Sequence, residues 1–189
     1  LMNSITEQLN EIQLYIKDSL CDPWAGTYLD GYAFLHAKQK GAIGERIITN
    51  CLLYNGWTVT NATNPGHDRL VCYHQFASPL KAEFKFSAAG KYRGSHLPRP
   101  DNFVINHVAA GKDWDILIFL GLNPDGTPHR FFWFHKAAFC EEIKRSDSVF
   151  KKQQGGKKGT NDDWICTDVV ALLNMNFTHM LTLEATHTL

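Results

Sequence analysis

Hydrophobic positions recur at two different periods along this chain, and the switching between them predicts the order of its elements. Ile5, Leu9, Ile12 and Ile16 follow one another at three- and four-residue spacing behind Ser4, a capping residue, which predicts an amphipathic helix from Ser4 to about Leu20. The segment CDPWAGTYLDG has Pro23, Gly26 and Gly31 and no period, so it is a connection. Ile43, Ile47, Cys51 and Tyr54 then mark the stripe of a second helix from about Lys38 to Tyr54, stopped by Asn55-Gly56. WTVTNAT at 57–63 is rich in β-branched and aromatic residues and ends at the breaker Asn64-Pro65-Gly66, as a strand does. RLVCYH and LKAEFKFS, on either side of the turn-like Phe76-Ala77-Ser78-Pro79, are two more β-rich runs, close enough to pair antiparallel.

The second half of the chain is less regular. AAGKYRGSHLPRPD reads as a long exposed loop, and Asn102 to Gly111 as a short helix. DILIFLGL at 115–122 is a nearly continuous apolar run bounded by Asn123-Pro124-Asp125-Gly126, as expected of a central strand buried on both faces, and RFFWFHK answers it after the turn. Lys136 to Arg145 has a helical pattern. Lys151 to Asn161 is polar and glycine-rich and reads as a mobile segment, and Trp164 to Asn174 is apolar but ambiguous between helix and strand. With no internal repeat, these elements predict one α/β domain spanning 1–189, with a core over about 38–145 in which a mixed central β-sheet is flanked by helices.

Composition agrees with a folded globule: 189 residues, 44% hydrophobic and 20% charged, are enough to bury a core without staples. The five cysteines, at 21, 51, 72, 140 and 166, form no C-x-x-C pair and read as reduced thiols. No window approaches about 18 uninterrupted apolar residues, so no membrane span and a cytoplasmic location are expected. Nineteen basic and nineteen acidic side chains cancel, and the net charge says nothing for a nucleic-acid partner. Distribution says more, because 81–99 and 144–158 are locally basic, with one acid each. G-x-x-x-x-G-K-[ST], G-x-G-x-x-G and G-x-S-x-G are all missing, which argues against nucleotide hydrolysis, a nucleotide cofactor and serine hydrolase chemistry.

Within LKAEFKFS, strand alternation places Lys81, Glu83, Lys85 and Ser87 on one face and Ala82, Phe84 and Phe86 on the other. Asp68 follows the Pro-Gly breaker at the mouth of the preceding strand, where a hairpin can set it beside Glu83. Two carboxylates with an adjacent lysine suit phosphodiester hydrolysis: hard oxygens hold Mg2+, the ion neutralises charge developing on phosphate, and the ammonium orients or helps deprotonate the attacking water. The backbone carbonyl of Phe84 is a candidate third ligand beside Asp68 and Glu83. From the residues alone, Glu83 and Lys85 read equally as an ion pair on a sheet surface. Glu142-Ile143-Lys144 is a second E-x-K in a helical stretch, without an upstream aspartate after a turn.

KGAIGERIITNCLLYNGWTVTNATNPGHDRLV followed by KAEFKFS resembles the core of the PD-(D/E)XK nuclease superfamily, most closely type II restriction endonucleases and also archaeal Holliday-junction resolvases. The resemblance spans about residues 38 to 87. It implies a catalytic set of Asp68, Glu83 and Lys85, with Glu45 in the helix as a further carboxylate near the metal; the alternative for Glu45 is a solvated residue paired with Arg46 or on the Lys40 side. It also implies Mg2+ as cofactor, 5′-phosphate and 3′-hydroxyl products, double-stranded DNA as partner and a homodimer acting on palindromes. One departure is His67 where a proline usually precedes the aspartate. A junction resolvase or repair nuclease, and an inactive DNA-binding module of the same fold, are the other two readings.

Lys91, Tyr92, Arg93, His96 and Arg99 combine phosphate-pairing cations with an aromatic ring just past the catalytic strand and read as DNA-binding, or as a solvated loop. Lys151, Lys152, Lys157 and Lys158 read the same two ways. Among the histidines, Asn106-His107 has a faint likeness to an HNH nuclease motif but no ββα-metal arrangement accompanies it, and His135 lies among aromatics like a core residue.

Overall fold

The computed structural model describes residues 12, 13, 17, 20–74, 76–91, 97–124, 126–153 and 163–181. The apolar run of the second half is its centre: β5, Ile116–Leu122, is buried at every position. It runs parallel to β3, Leu80–Ala88, and antiparallel to β6, Arg130–His135. β1, Thr58–Asn61, and β2, Arg69–Cys72, extend the sheet antiparallel beyond β3, and the short β9, His179–Met180, closes the far edge, giving the mixed order β1-β2-β3-β5-β6-β9. The expected pairing of RLVCYH with LKAEFKFS is therefore present, as Arg69↔Ala82 to Val71↔Leu80. Each fully buried Ile, Leu or Phe of β5 contributes roughly 1.5–3 kcal/mol by leaving water. Phe119 meets Phe103 and Phe132, and Phe134 meets Phe150 and Phe177, so the centre is largely aromatic.

Helix α1, Ala37–Tyr54, covers β3. It ends where Asn55-Gly56 predicts: Gly56 has φ 78°, its N–H donates to Leu53 O, and the N–H of Trp57 reaches back to Leu52 O. Its buried stripe differs from expectation. Gly44, Ile48 and Leu52 face the sheet, Ile47 and Cys51 flank them half-buried, and Tyr54 is 59% exposed. The stripe begins with a glycine because the helix lies close against β3 there, and hydrophobicity alone points one position away.

The parallel connection from β3 to β5 leaves the main sheet. It contains β4, Ile105–Ala109, which pairs with β8, Asp163–Cys166, itself paired with β7, Phe150–Lys152, in a second sheet of order β4-β8-β7. The short helix expected over Asn102–Gly111 is thus a strand. A bulge between Ile105 and Val108, with His107 at φ 51°, puts buried Ile105, Val108 and Ala109 at i, i+3 and i+4, a spacing that imitates a helix. Likewise 164–174 is both of its alternatives in turn, the end of β8 and then α3, Val169–Leu173, which Asp168 caps by accepting from the Ala171 N–H. α2, Lys136–Glu142, follows β6 directly. Lys151 and Lys152 lie in β7 and not in a mobile segment. The helix expected over Ser4–Leu20 lies outside the described residues except that Ile12, Gln13 and Lys17 are helical. All five cysteines are free thiols, and among the described residues no helix is long and apolar enough to cross a membrane.

The connection is tied to the end of β5 by a buried polar node. Asn123 Nδ2 donates to Asp101 Oδ1 and Pro128 O, Asn123 Oδ1 accepts from the Asp101 N–H, and Arg130 makes two bonds of 2.8 Å to the Asp101 carboxylate. The Arg130 guanidinium holds the Asp101 carboxyl below its ordinary range, against the opposing effect of burial and with help from Asn123. A carboxyl depressed in the fold stabilises it above the unfolded value of about 3.9, and the contribution is lost as pH falls through the folded value. Asp101→Asn keeps a side chain that tolerates the φ of 59°. It is expected to melt below wild type at pH 7, with the gap closing below about pH 4 in thermal scans; a gap of constant size at both pH values would refute the ionic contribution.

Candidate active site

β2 pairs with β3 only as far as Arg69↔Ala82, whereas β3 continues to Ala88. From Phe84 onward β3 therefore has β5 on one side and, among the described residues, no paired strand on the other. A cleft of about 560 Å³ follows that open edge; Glu83, Lys85, Phe86 and Ala88 line it from β3, Glu45 and Lys40 from α1, and Asn106, His107 and Lys112 from the β3–β5 connection. From Glu83 to Ala88 it runs roughly 16 Å at the rise of a strand.

Asp68 is the residue just before β2, where the β2–β3 ladder stops. Its N–H donates to Ala82 O at 2.9 Å and its Oδ2 accepts from the Phe84 N–H at 2.7 Å, so it replaces the missing strand residue and straddles Glu83. In a strand the N–H and C=O of one residue leave on the same edge. The Phe84 carbonyl therefore points to the Asp68 side, past the end of the β2 ladder. Glu83 is 2% exposed, and its Oε1 accepts from Lys85 Nζ at 2.8 Å and Lys112 Nζ at 3.2 Å. Asp68 Oδ1 and Glu83 Oε2 accept no hydrogen bond from the described residues.

Glu45 reaches the cleft from α1, where its Oε2 lies 3.3 Å from Arg69 Nη2, a partner on β2 and neither Arg46 nor a residue on the Lys40 side. Burial raises the Glu45 carboxyl above its ordinary range, and Asp68 and Glu83 add to this while Arg69 and Lys85 oppose it. Burial likewise raises Asp68, reinforced by Glu83 and opposed by the Phe84 N–H, Lys85 and Lys112. Such a site favours gaining positive charge.

Among the described residues no three His, Cys, Asp or Glu side chains converge closely enough to hold a metal by themselves. The donors that fit a hard divalent ion are Asp68 and Glu83 carboxylate oxygens and the Phe84 carbonyl, with water completing the shell, as suits an ion that keeps several waters. All are oxygen, with no sulfur or imidazole donor.

Asp68, Glu83, Lys85 and Glu45 are thus brought to one cleft from α1, from β3 and from the residue that precedes β2. Lys91 and Arg99 are not among its lining residues; they lie past Ala88, where Lys91 bridges to Pro98 and the Arg99 N–H donates to Gly90 O. Tyr92, Arg93, His96, Lys157 and Lys158 lie outside the described residues. Lys151 and Lys152 are exposed on β7, with Lys152 Nζ 5.9 Å over the Trp164 ring, two strands from β4. The second E-x-K is structural, since Glu142 is buried at the end of α2, where it accepts from the Val149 N–H, while Lys144 pairs with Glu141. Sequence reasoning missed Lys112, whose ammonium reaches Glu83 from the turn before β5, and noted His107 only for its likeness to another motif, not for a place in this cleft. An Ala110-Gly111-Lys112-Asp113 turn leading into the buried strand was the available signal for Lys112.

No protein-family model and no curated protein sequence matches the chain. Among solved structures, it superposes on a bacterial homing endonuclease with a TM-score of 0.39 and 16% identity, over 65% of this chain and 86% of that one. At that TM-score the likeness says nothing of what this chain does.

Proposed function

We propose that the protein is a magnesium-dependent DNA endonuclease of the PD-(D/E)XK kind, cutting at specific sites in double-stranded DNA as a homodimer. The observation that carries this reading is the position of Asp68, bonded to the backbone of Ala82 and Phe84 on either side of Glu83, with Lys85 Nζ 2.8 Å from Glu83 Oε1. Asp68, Glu83 and the Phe84 carbonyl would hold the ion, which when bound supplies a Lewis acid for phosphate oxygens and an acidified water. Lys85 orients the attacking water and faces the charge that builds on the phosphate. Lys112 holds Glu83 from the β3–β5 connection. Glu45 keeps Arg69 beside Asp68 and adds a carboxylate to the outer side of the site.

The test is digestion of plasmid and of a four-way junction, with magnesium and with EDTA, by the wild-type chain and by Lys85→Ala. Discrete plasmid fragments that require magnesium and vanish in the variant are expected. Preferential resolution of the junction would replace site-specific cutting by junction cutting, while DNA binding without cleavage would make the chain a binding module.

A further inference from the structure

The bulge in β4 holds His107 at φ 51°, a left-handed backbone that glycine adopts freely and that strains most side chains, His less than many. Strain of this kind persists where surrounding contacts over-determine it, and it is a pointer to function when the side chain has a task. Three contacts from the β7–β8 side fix the residue. Its N–H donates to Gln153 Oε1 at 3.0 Å, its ring Nδ1 lies 3.3 Å from Asp163 Oδ2, and Nε2 lies 3.4 Å from Gln153 Nε2. None of this buries the ring: the side chain is 59% exposed, and the residue lines the same cleft as Asp68, Glu83 and Lys85. A histidine serving only the bulge would be better as glycine. A histidine serving only the core would be buried.

We propose that His107 binds a phosphate oxygen of the DNA strand lying in the cleft, from its β4 side; this rests on the nuclease reading above. Asp163 accepts from the Nδ1–H and fixes the ring; Nε2, which accepts from the Gln153 amide in the free protein, exchanges that long contact for the phosphate, to which the ring donates in its cationic form, the form that a neighbouring anion favours. The carboxylates and Lys85 engage the scissile phosphodiester from β3 and its flank, and His107 holds the strand from β4. The cleft runs roughly 16 Å along β3, room for two to three nucleotides of backbone, so the bound phosphate can be the scissile one or its neighbour.

The test is His107→Gly in the full chain, read by melting temperature, by affinity for a duplex oligonucleotide in EDTA, and by KM and kcat with magnesium. Glycine relieves the backbone, so a purely structural His107 predicts unchanged binding and cleavage. The proposal predicts a melting temperature close to wild type, affinity about tenfold weaker and KM raised to match, with kcat changed less. His107→Asn, which also accepts the backbone but is shorter, is expected to lose at least about threefold in affinity and serves where the glycine variant does not fold. Affinity and KM within twofold of wild type in the folded variant overturn the proposal. If the wild-type chain cuts nothing, the nuclease reading fails and affinity in EDTA alone decides the role of His107; a wild type that binds no DNA overturns both.

Discussion

Asp68→Asn is expected to lower magnesium-dependent cleavage about a thousandfold or more while leaving the melting temperature at pH 7 unchanged or raised, since loss of a metal carboxylate forfeits several kcal/mol of transition-state stabilisation. Asparagine is the informative replacement because its side-chain oxygen can still accept from the Phe84 N–H, so the bond that anchors Asp68 to β3 survives. What disappears is the charge. Burial and the neighbouring Glu83 raise the Asp68 carboxyl in the fold, so the native state holds that proton more tightly than the unfolded chain does. Stability is then greatest below the unfolded value of about 3.9 and falls as pH rises through the folded value. Ionised Asp68 thus opposes folding at pH 7, and asparagine removes that opposition. Any thermal gain of the variant should therefore shrink when both proteins are melted below about pH 4. A variant that cuts at the wild-type rate would remove Asp68 from the site. A loss of several degrees at pH 7 would make it a structural residue whose place just before β2 has no functional meaning.

The legibility of this site in the sequence follows from how far apart its parts lie along the chain. Glu83 and Lys85 are two residues apart, and strand alternation alone puts them on one face. Asp68 comes to them through one antiparallel step, Arg69↔Ala82, that the spacing of two β-rich runs around a turn predicts. Glu45 needs the helix α1 to lie across β3, and its side of the cleft followed from a resemblance and not from periodicity. The place of Lys112 and His107 in the cleft was hard to read for a different reason. They enter through the parallel β3–β5 connection, whose path depends on a second sheet closed by residues more than forty positions later, such as Asp163 and Gln153. The bulge also gave β4 the apolar spacing of a helix. Where one residue is inserted into a strand, period two becomes a mixture of three and four, and only the partner strand reveals which structure made it. The basic residues show a third limit. A cluster of lysines and arginines announces a charged surface, but Lys91 and Arg99 sit beyond the end of the cleft and Lys151 and Lys152 on another sheet, because charge along a chain carries no direction.

Gly44→Ala should destabilise the protein by about 2–3 kcal/mol, a fall of roughly 5–10 °C in melting temperature, whereas Gly41→Ala, one turn earlier on the same helix, should stabilise it by up to about 1 kcal/mol. Both changes improve helix propensity equally, so their difference isolates what each new methyl group meets. At position 41 nothing lies within 4 Å of it. At position 44 it falls 2.3 Å from Phe86 Cβ and 2.6 Å from Phe86 Cγ. These are the atoms of Phe86 closest to the backbone of β3, so no rotation of the ring can take them away, and the helix must lift from the sheet. Ile48 and Leu52, fully buried on the same stripe, would be drawn out with it. The consequence reaches the cleft as well, because Glu45 is the next residue and holds Arg69 across the same gap. Gly44→Ala is therefore expected to lose cleavage activity even at temperatures where it remains folded. Equal melting temperatures for the two variants would mean that α1 does not rest on β3 through Gly44, and that the spacing which brings Glu45 to Asp68 and Glu83 is set elsewhere.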